Sequence, residues 1–148
     1  MPQIKSTSGI AQAVAASALR AQQARMRIIA ENLANADSTS KTAGGDPYRR
    51  QAPVFEPTKV QGAKGVKMSK VEPDQTEFRQ EYDPGHPSAD AKGYVKLPNV
   101  DSLVEIMDMR EAQRSYEADL SVMGLPAVTR LAPSSRSNWL FTVAILRR

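Results

Sequence analysis

The chain has 148 residues, and its 5% aromatic content and alanine-rich hydrophobic fraction leave few large side chains for a globular core. This composition favours a thin-cored domain with long helical arms, and the absence of cysteine excludes disulfides, zinc–thiolate sites and thiol catalysis. The net charge is +4, but four arginines beyond the last acidic residue carry the whole excess, so the body of the chain lacks the basic face that nucleic acid requires.

The first expected element is a helix from Gly9 to about Asn35, within an N-terminal segment that spans residues 1–36. We expect Ser8 to cap its start and Asn35 to end it in the left-handed conformation. The residues before the helix lack the charged region and apolar run of a cleaved signal peptide, so the sequence does not favour conventional secretion.

This helix carries two apolar rows that advance by alternating steps of three and four residues. The first stripe consists of Ala16, Leu19, Gln23, Met26, Ala30 and Leu33, and the second stripe consists of Ile10, Val14, Ser17, Ala21, Ala24 and Ile28. Two rows allow two neighbours, and small alanines let helices approach closely. The pattern alone leaves two interpretations open, an ordinary buried helix and an assembly helix.

The middle segment, residues 37–99, contains most of the prolines and glycines and is expected to hold short strands joined by turns. Prolines confine the stretch 47–57 to a sheet edge. Alternation predicts a strand over 65–71, and shorter strands are expected at 58–60 and 94–97, with antiparallel pairing as the default.

The loop 82–93 combines a Pro-Gly turn with polar residues and should lie on the surface. It holds the best catalytic-looking cluster, Asp83, His86 and Asp90. His86 is the only histidine, so sites that need two histidines are excluded within one chain. An exposed turn histidine is the favoured interpretation, and no phosphate loop or Ser-His-Asp arrangement is present. We therefore expect no enzyme, no metal and no cofactor.

A second helix is expected to open at Asp101 or Ser102 and to run to about Met123, within a C-terminal segment 100–123. Ser102 and Glu105 have the spacing of a capping box. Its apolar seam consists of Leu103, Ile106, Met109, Gln113, Tyr116, Leu120 and Met123. The expected fold is α+β, with two long terminal helices paired as an antiparallel coiled coil around a small antiparallel β-rich middle.

The tail, residues 124–148, departs from this pattern because Gly124 and Pro126 interrupt the helix and the apolar rhythm stops. Its apolar run from Trp139 to Leu146 falls far short of the roughly 20 residues that span a membrane, so no integral membrane protein is expected. We hypothesise that an irregular tail of this kind reflects a shifted reading frame, with a lineage-specific tail as the alternative.

Three stretches resemble bacterial flagellar basal-body rod proteins of the FlgC type. They are Ala30 to Thr39 (AENLANADST), the segment from Val71 through Tyr82–Pro87 to Val100, and Met109 to Ala118 (MREAQRSYEA). The first stretch is similar to a signature of flagellar axial proteins in general, and the other two stretches narrow the resemblance to the FlgC type.

The resemblance implies a structural subunit of the periplasmic rod that polymerises through its terminal helices and transmits motor torque for motility. It implies other rod subunits, copies of the chain itself and the flagellar type III export apparatus as partners, and export without a cleaved signal. A soluble helical adaptor that binds an export component or a cell-wall enzyme is the alternative. The expected subunit contacts are Ile10, Val14, Leu19, Met26, Ile28, Leu33, Asn35, Leu103, Ile106, Met109, Tyr116 and Leu120.

Overall fold

The computed structural model describes residues 7–124, and these form two helices and two small antiparallel sheets. In chain order the elements are α1 (Thr7–Ala34), β1 (Gln51–Val60), β2 (Ala63–Pro73), β3 (Arg79–Tyr82), β4 (Tyr94–Leu97) and α2 (Ser102–Val122). The α+β class is confirmed. The expectation of an irregular tail concerns residues 125–148, which lie outside the described residues.

The helix α1 has the predicted extent to within two residues, but both of its predicted ends differ in detail. It is helical from Thr7, so Ser8 lies inside the helix and is not its cap. Asn35 is not left-handed. Its backbone N–H instead donates to the carbonyls of Glu31 and Asn32, and its side-chain amide donates to the Glu31 carbonyl at 2.8 Å. The chain leaves α1 through hydrogen-bonded turns that need no positive φ.

The strands β1 and β2 form a long hairpin closed by the two-residue turn Gln61-Gly62. Both turn residues have positive φ, 51° and 90°, which matches the right-handed twist of the flanking strands. The register shifts between Val54 and Phe55, because Ser69 on β2 is an extra residue without a partner in the strand register. Its hydroxyl group donates to the Val54 carbonyl at 3.2 Å. The predicted strands at 58–60 and 65–71 are parts of this hairpin, and its strands pair antiparallel as expected.

The second sheet pairs β3 with β4, again antiparallel. The strand β4 lies where the sequence predicts it, whereas β3 was not predicted, because its Arg-Gln-Glu-Tyr sequence shows no apolar alternation and all four residues are exposed. Tyr82 and Tyr94 face each other across this sheet with ring centroids 5.3 Å apart. Gly93 has φ +84°, and a Cβ at this position would lie 2.9 Å from a Tyr82 ring carbon.

The helix α2 begins as expected, but with a different cap from the predicted box. Asp101 is the N-cap, and its Oδ1 accepts from the backbone N–H groups of Leu103 and Val104. The Glu105 side chain does not return to the cap as a capping box requires, because it is buried against other elements. A short acidic side chain at the right place thus caps the helix without help from Ser102.

The helix α1 packs against α2 on one side and against the β1–β2 hairpin on another. Contacts between the helices run in opposite order along α1 and α2: Asn32 contacts Glu105 near one end of the pair, and Gln23 contacts Tyr116 further along. The two helices are therefore antiparallel neighbours. Across residues 7–124, neither helix has an apolar stretch long enough to cross a membrane.

Candidate functional site

A buried polar junction joins the end of α1, the start of β1 and the start of α2. At its centre lies Glu105, whose side chain is 0% exposed. Its Oε1 accepts from Arg50 Nε at 2.6 Å, and its Oε2 accepts from Asn32 Nδ2 at 3.2 Å. A buried carboxylate is tolerated only when it is paired and hydrogen-bonded, and each of its two oxygens has a partner here.

Asn32 is the second member of the junction, and it is 1% exposed. Its Oδ1 accepts from Tyr48 Oη and from the backbone N–H of Gln51, both at 2.9 Å, while Nδ2 donates to the Gln51 carbonyl and to Glu105. Both lone pairs and both amide hydrogens are thus used. Burial, followed by the charges of Glu31 and Glu105, raises the pKa of Tyr48, so its hydroxyl stays a donor.

Arg50 extends the junction into a network of charges. Its guanidinium lies 3.5 Å from Asp74 Oδ2 and 4.0 Å from Asp108 Oδ2, and the other Asp108 oxygen lies 3.6 Å from Arg25 on α1. Burial opposes the charge on Arg50, but the hydrogen bond and charge of Glu105, with Asp74 and Asp108, outweigh it and raise the pKa of Arg50. The network therefore stays charged and links α1, α2 and the end of β2.

The loop after β2 is held against the same junction. Arg49 Nη1 donates to the carbonyls of Asp74 and Thr76, and its guanidinium lies 4.1 Å from the Phe78 ring centroid. Asn99 Nδ2 donates to the same two carbonyls. The backbone N–H of Thr76 donates to Asp74 and is the main cause of the lowered pKa of Asp74.

These contacts join the start of the β1–β2 hairpin to both helices. Asn32 lies on α1, Arg50 immediately before β1 and Glu105 on α2, and each is bonded to at least one of the others. Directional hydrogen bonds of this kind specify one arrangement where a thin apolar core leaves several open. The junction therefore orients the surfaces that the terminal helices present.

The second stripe of α1 is largely covered by the chain itself. Ser17 Oγ accepts from the Val66 backbone N–H at 3.3 Å, and a Cβ on Gly65 would lie 2.7 Å from that oxygen, so glycine permits the close approach of hairpin and helix. Ala21 and Ile28 are also buried, Ile28 at 3% exposure. One of the two predicted neighbours of α1 is thus the hairpin of the same chain.

The first stripe and the seam of α2 remain partly open. Gln23 and Ala30 are exposed on α1, and the centre of the α2 face turned inward is Ala112, at 0% exposure. This places the exposed Leu103, at 68%, and Ile106 on the outward side of α2. The remaining predicted contact residues are half-buried: Ile10, Val14, Leu19, Met26, Leu33, Asn35, Met109, Tyr116 and Leu120.

The loop 83–93 uses its polar side chains for its own turns. Asp83 Oδ1 accepts from the Gly85 N–H, His86 Nδ1 accepts from the Ser88 N–H, and Asp90 Oδ1 accepts from the N–H groups of Lys92 and Tyr94. The Tyr94 bond is the main cause of the lowered pKa of Asp90. Between residues 7 and 124, no group of three or more His, Cys, Asp or Glu side chains could hold a metal ion.

Sequence reasoning missed the junction. The sequence pattern places Asn32 within the first helix and Glu105 in a capping box, and it assigns no role to Arg50. The available signal was the position of Asn32 four residues after Ile28, on the same face of the helix, since a polar residue that is buried there needs hydrogen-bond partners. The partners of Asn32 lie 16 to 73 positions away along the chain, from Tyr48 to Glu105.

Two family models match the parts of the chain that contribute α1 and α2. The model described as flagella basal body rod protein matches residues 13–40, and the model described as flagellar basal body rod FlgEFG protein C-terminal matches residues 91–124. The class defined by the paired terminal helices and by these matches is that of flagellar rod proteins.

Curated relatives narrow the class. The chain is 51% identical over 112 residues to the flagellar basal-body rod protein FlgC of Agrobacterium fabrum, covering 74% of this chain and 81% of that protein. It is 46% identical to FlgC of Escherichia coli O6:H1, with 74% and 83% covered. It is 37% identical to FlgC of Borreliella burgdorferi, with 90% and 94% covered. The chain belongs to the FlgC family of flagellar basal-body rod proteins.

Family membership confirms several expectations. The chain is a structural subunit of the basal-body rod and not an enzyme. Its place is the flagellar basal body, and it assembles with other rod components.

Proposed function

We propose that the subunit polymerises through its terminal helices, which pair as an antiparallel coiled coil and present their open apolar rows to neighbouring subunits. In this proposal residues 1–36 and 100–123 form the axial layer, and residues 37–99 form an outer elaboration. The observation that carries it is the division of the apolar rows: the hairpin covers one row on α1, while Leu103 and Ile106 on α2 face solvent. Exposed apolar patches on a small protein mark contact surfaces.

A rod that turns must resist torsion, and the junction supports this role. Asn32, Arg50 and Glu105 join the hairpin to the helix pair by hydrogen bonds from the half-buried Arg50 and the buried Asn32 to the buried Glu105. Such contacts resist bending more than an apolar contact does, because their geometry is directional. We therefore propose that the subunit transmits motor torque across the periplasm.

The route to the rod is also a proposal. The chain has no cysteine, so no disulfide has to form or break during export. The two helices of a thin-cored subunit gain most of their stability from burial, so they unfold readily before export. We propose export in unfolded form by the flagellar type III apparatus, without cleavage of a signal peptide.

The assembly proposal is tested in cells whose own gene is replaced by a variant. Leu103→Glu adds a charge to an exposed apolar residue, so it should leave the fold intact while it blocks rod completion and swimming. Leu103→Met keeps the apolar surface and serves as the matched control. Normal basal bodies in Leu103→Glu cells would contradict the proposal, provided that circular dichroism of the purified variant matches the parent.

Two further variants probe the half-buried contact residues. We expect Leu33→Glu and Tyr116→Glu to prevent rod completion as well, but both replacements also affect packing within the chain. Tyr116→Phe removes only the hydrogen bond from Gln23, which is exposed and 3.3 Å long, so this variant should swim normally. Loss of swimming in the phenylalanine variant would indicate that the hydroxyl group has a role in assembly.

A further inference from the structure

Two apolar surfaces lie at opposite ends of the helix pair, and one contains Arg110 while the other contains Asp119. The first, here called the outer α2 patch, consists of Leu103, Ile106, Met107 and Arg110. These residues are spaced by three and four positions and are exposed, Met107 at 63%. They therefore form one solvent-facing strip on the first two turns of α2. Arg110 makes no ion pair with any residue of the described range.

The second surface is an apolar groove of about 520 Å³ near the start of α1, here called the α1 groove. Ile10, Val14 and Ala15 line it from α1, Ala63 and Lys64 from the hairpin tip, and Asp119 and Val122 from α2. Val122 is 61% exposed. The groove spans roughly the three turns of α1 between Thr7 and Ala18, about 16 Å at 1.5 Å per residue. The strip from Leu103 to Arg110 covers about 10 Å by the same measure.

Asp119 distinguishes this groove from an ordinary surface depression. Its side chain is half-buried among apolar neighbours, and within residues 7–124 it makes no hydrogen bond or ion pair. Burial raises the pKa of its carboxyl group. A half-buried carboxylate without a partner is costly unless a cation arrives from elsewhere.

We infer that the outer α2 patch of one copy docks in the α1 groove of a second copy, with Leu103 and Met107 against the apolar wall and Arg110 paired with Asp119. The inference rests on the rod assembly proposed above and names the partner and the contact. The two surfaces differ, so the contact is heterologous. A heterologous contact that does not close into a ring builds an open helical array, which is the geometry of a rod.

Charge reversal in the full-length chain tests this pairing. Self-association measured by sedimentation velocity over a range of concentrations should weaken about tenfold or more in Arg110→Glu and in Asp119→Arg. An equimolar mixture of the two variants should associate like the parent, because each patch then meets a groove of opposite charge. The double variant carrying both reversals should also recover. Lys41→Glu, an equal charge change on an exposed loop, is the matched control and should change nothing.

A disulfide test uses the absence of cysteine in the chain. Met107→Cys and Val122→Cys lie on one helix, fifteen positions or roughly 22 Å apart, too far for a disulfide within the chain. The double variant should therefore form a ladder of disulfide-linked copies on a denaturing, non-reducing gel after oxidation, while each single variant should run as the unlinked chain. Disulfide-linked dimers of a single variant would indicate a symmetric contact and overturn the inference.

Other outcomes also decide the matter. The inference is overturned if the parent chain stays monomeric, if mixing the two charge variants restores no association, or if the double cysteine variant forms no linked copies. The same results are expected if another segment of the same chain fills the groove. If Leu103→Glu still blocks rod completion in cells while mixing fails in solution, the rod proposal stands and only this pairing is wrong.

Discussion

Glu105→Gln is the perturbation that tests the polar junction most directly. The replacement keeps the shape of the side chain and removes its charge, so no cavity is created. The bond from Arg50 Nε at 2.6 Å loses its charged acceptor, which costs about 1.5–3 kcal/mol. The new glutamine NH₂ group must also point at either Arg50 or the Asn32 amide. Since both of these neighbours are donors, one donor is left unsatisfied, which costs about 1–3 kcal/mol.

These two costs overlap, so we expect the free energy of unfolding to fall by about 3 kcal/mol, with a decrease in Tm of roughly 10 °C. Urea denaturation followed by far-UV circular dichroism measures the first quantity. Glu111→Gln is the matched control, because Glu111 forms an exposed pair with Arg114 and should contribute less than about 0.5 kcal/mol.

Arg50→Met completes the test as the other half of a double-mutant cycle. It leaves the fully buried Glu105 with Asn32 as its hydrogen-bond partner, and we expect a loss of about 3–5 kcal/mol. The double variant should lose clearly less than the sum of the two single variants, because they disrupt the same contact. Additive losses, or a Glu105→Gln variant within about 0.5 kcal/mol of the parent, would refute the assignment of the junction as the anchor of the fold.

Further predictions concern the turns and the effect of acid. Gly93→Ala should destabilise the chain by about 2 kcal/mol or more, because φ is +84° and the new Cβ would approach Tyr82. In Gly62→Ala, at φ +90°, the new Cβ meets no atom within 4 Å, so the free energy of unfolding should fall by only about 1 kcal/mol. Equal losses in the two variants would show that the contact with Tyr82 does not contribute. The folded-state pKa values of Asp74 and Asp90 are lowered from 3.8, so their stabilisation is present above that pH and is lost as pH falls below it. Asp90→Asn should therefore show a weaker decline in stability below about pH 4, and an unchanged decline would contradict this.

Much of the fold could be predicted because its causes are local. Alternating apolar steps of three and four gave both helices to within about two residues, and the Gly-Pro content located the β-rich middle. The extent of the hairpin was underestimated, because Pro53 and Pro57 argue against a long strand. In the structure they lie on β1, which has a neighbour on one side in a two-stranded sheet, so their missing N–H groups cost little.

The candidate contact surfaces could be predicted only in part. Periodicity identified two rows on α1 and one on α2, but periodicity says nothing about which partner covers a row. The hairpin covers the second stripe at Ser17, and the inward face of α2 is centred on Ala112 and not on the predicted seam. Leu103 and Ile106 are consequently left exposed.

The sequence by itself determined the two helices, the β-rich middle and the family, because each follows from short-range periodicity, from local composition or from motifs that are contiguous in the chain. Only the tertiary structure decided the roles of Asn32, Arg50 and Glu105. Each has several possible partners when only its sequence neighbours are known. The choice between solvent, a helix cap and a buried network depends on which distant elements meet, and that follows from the packing of α1 against both α2 and the hairpin.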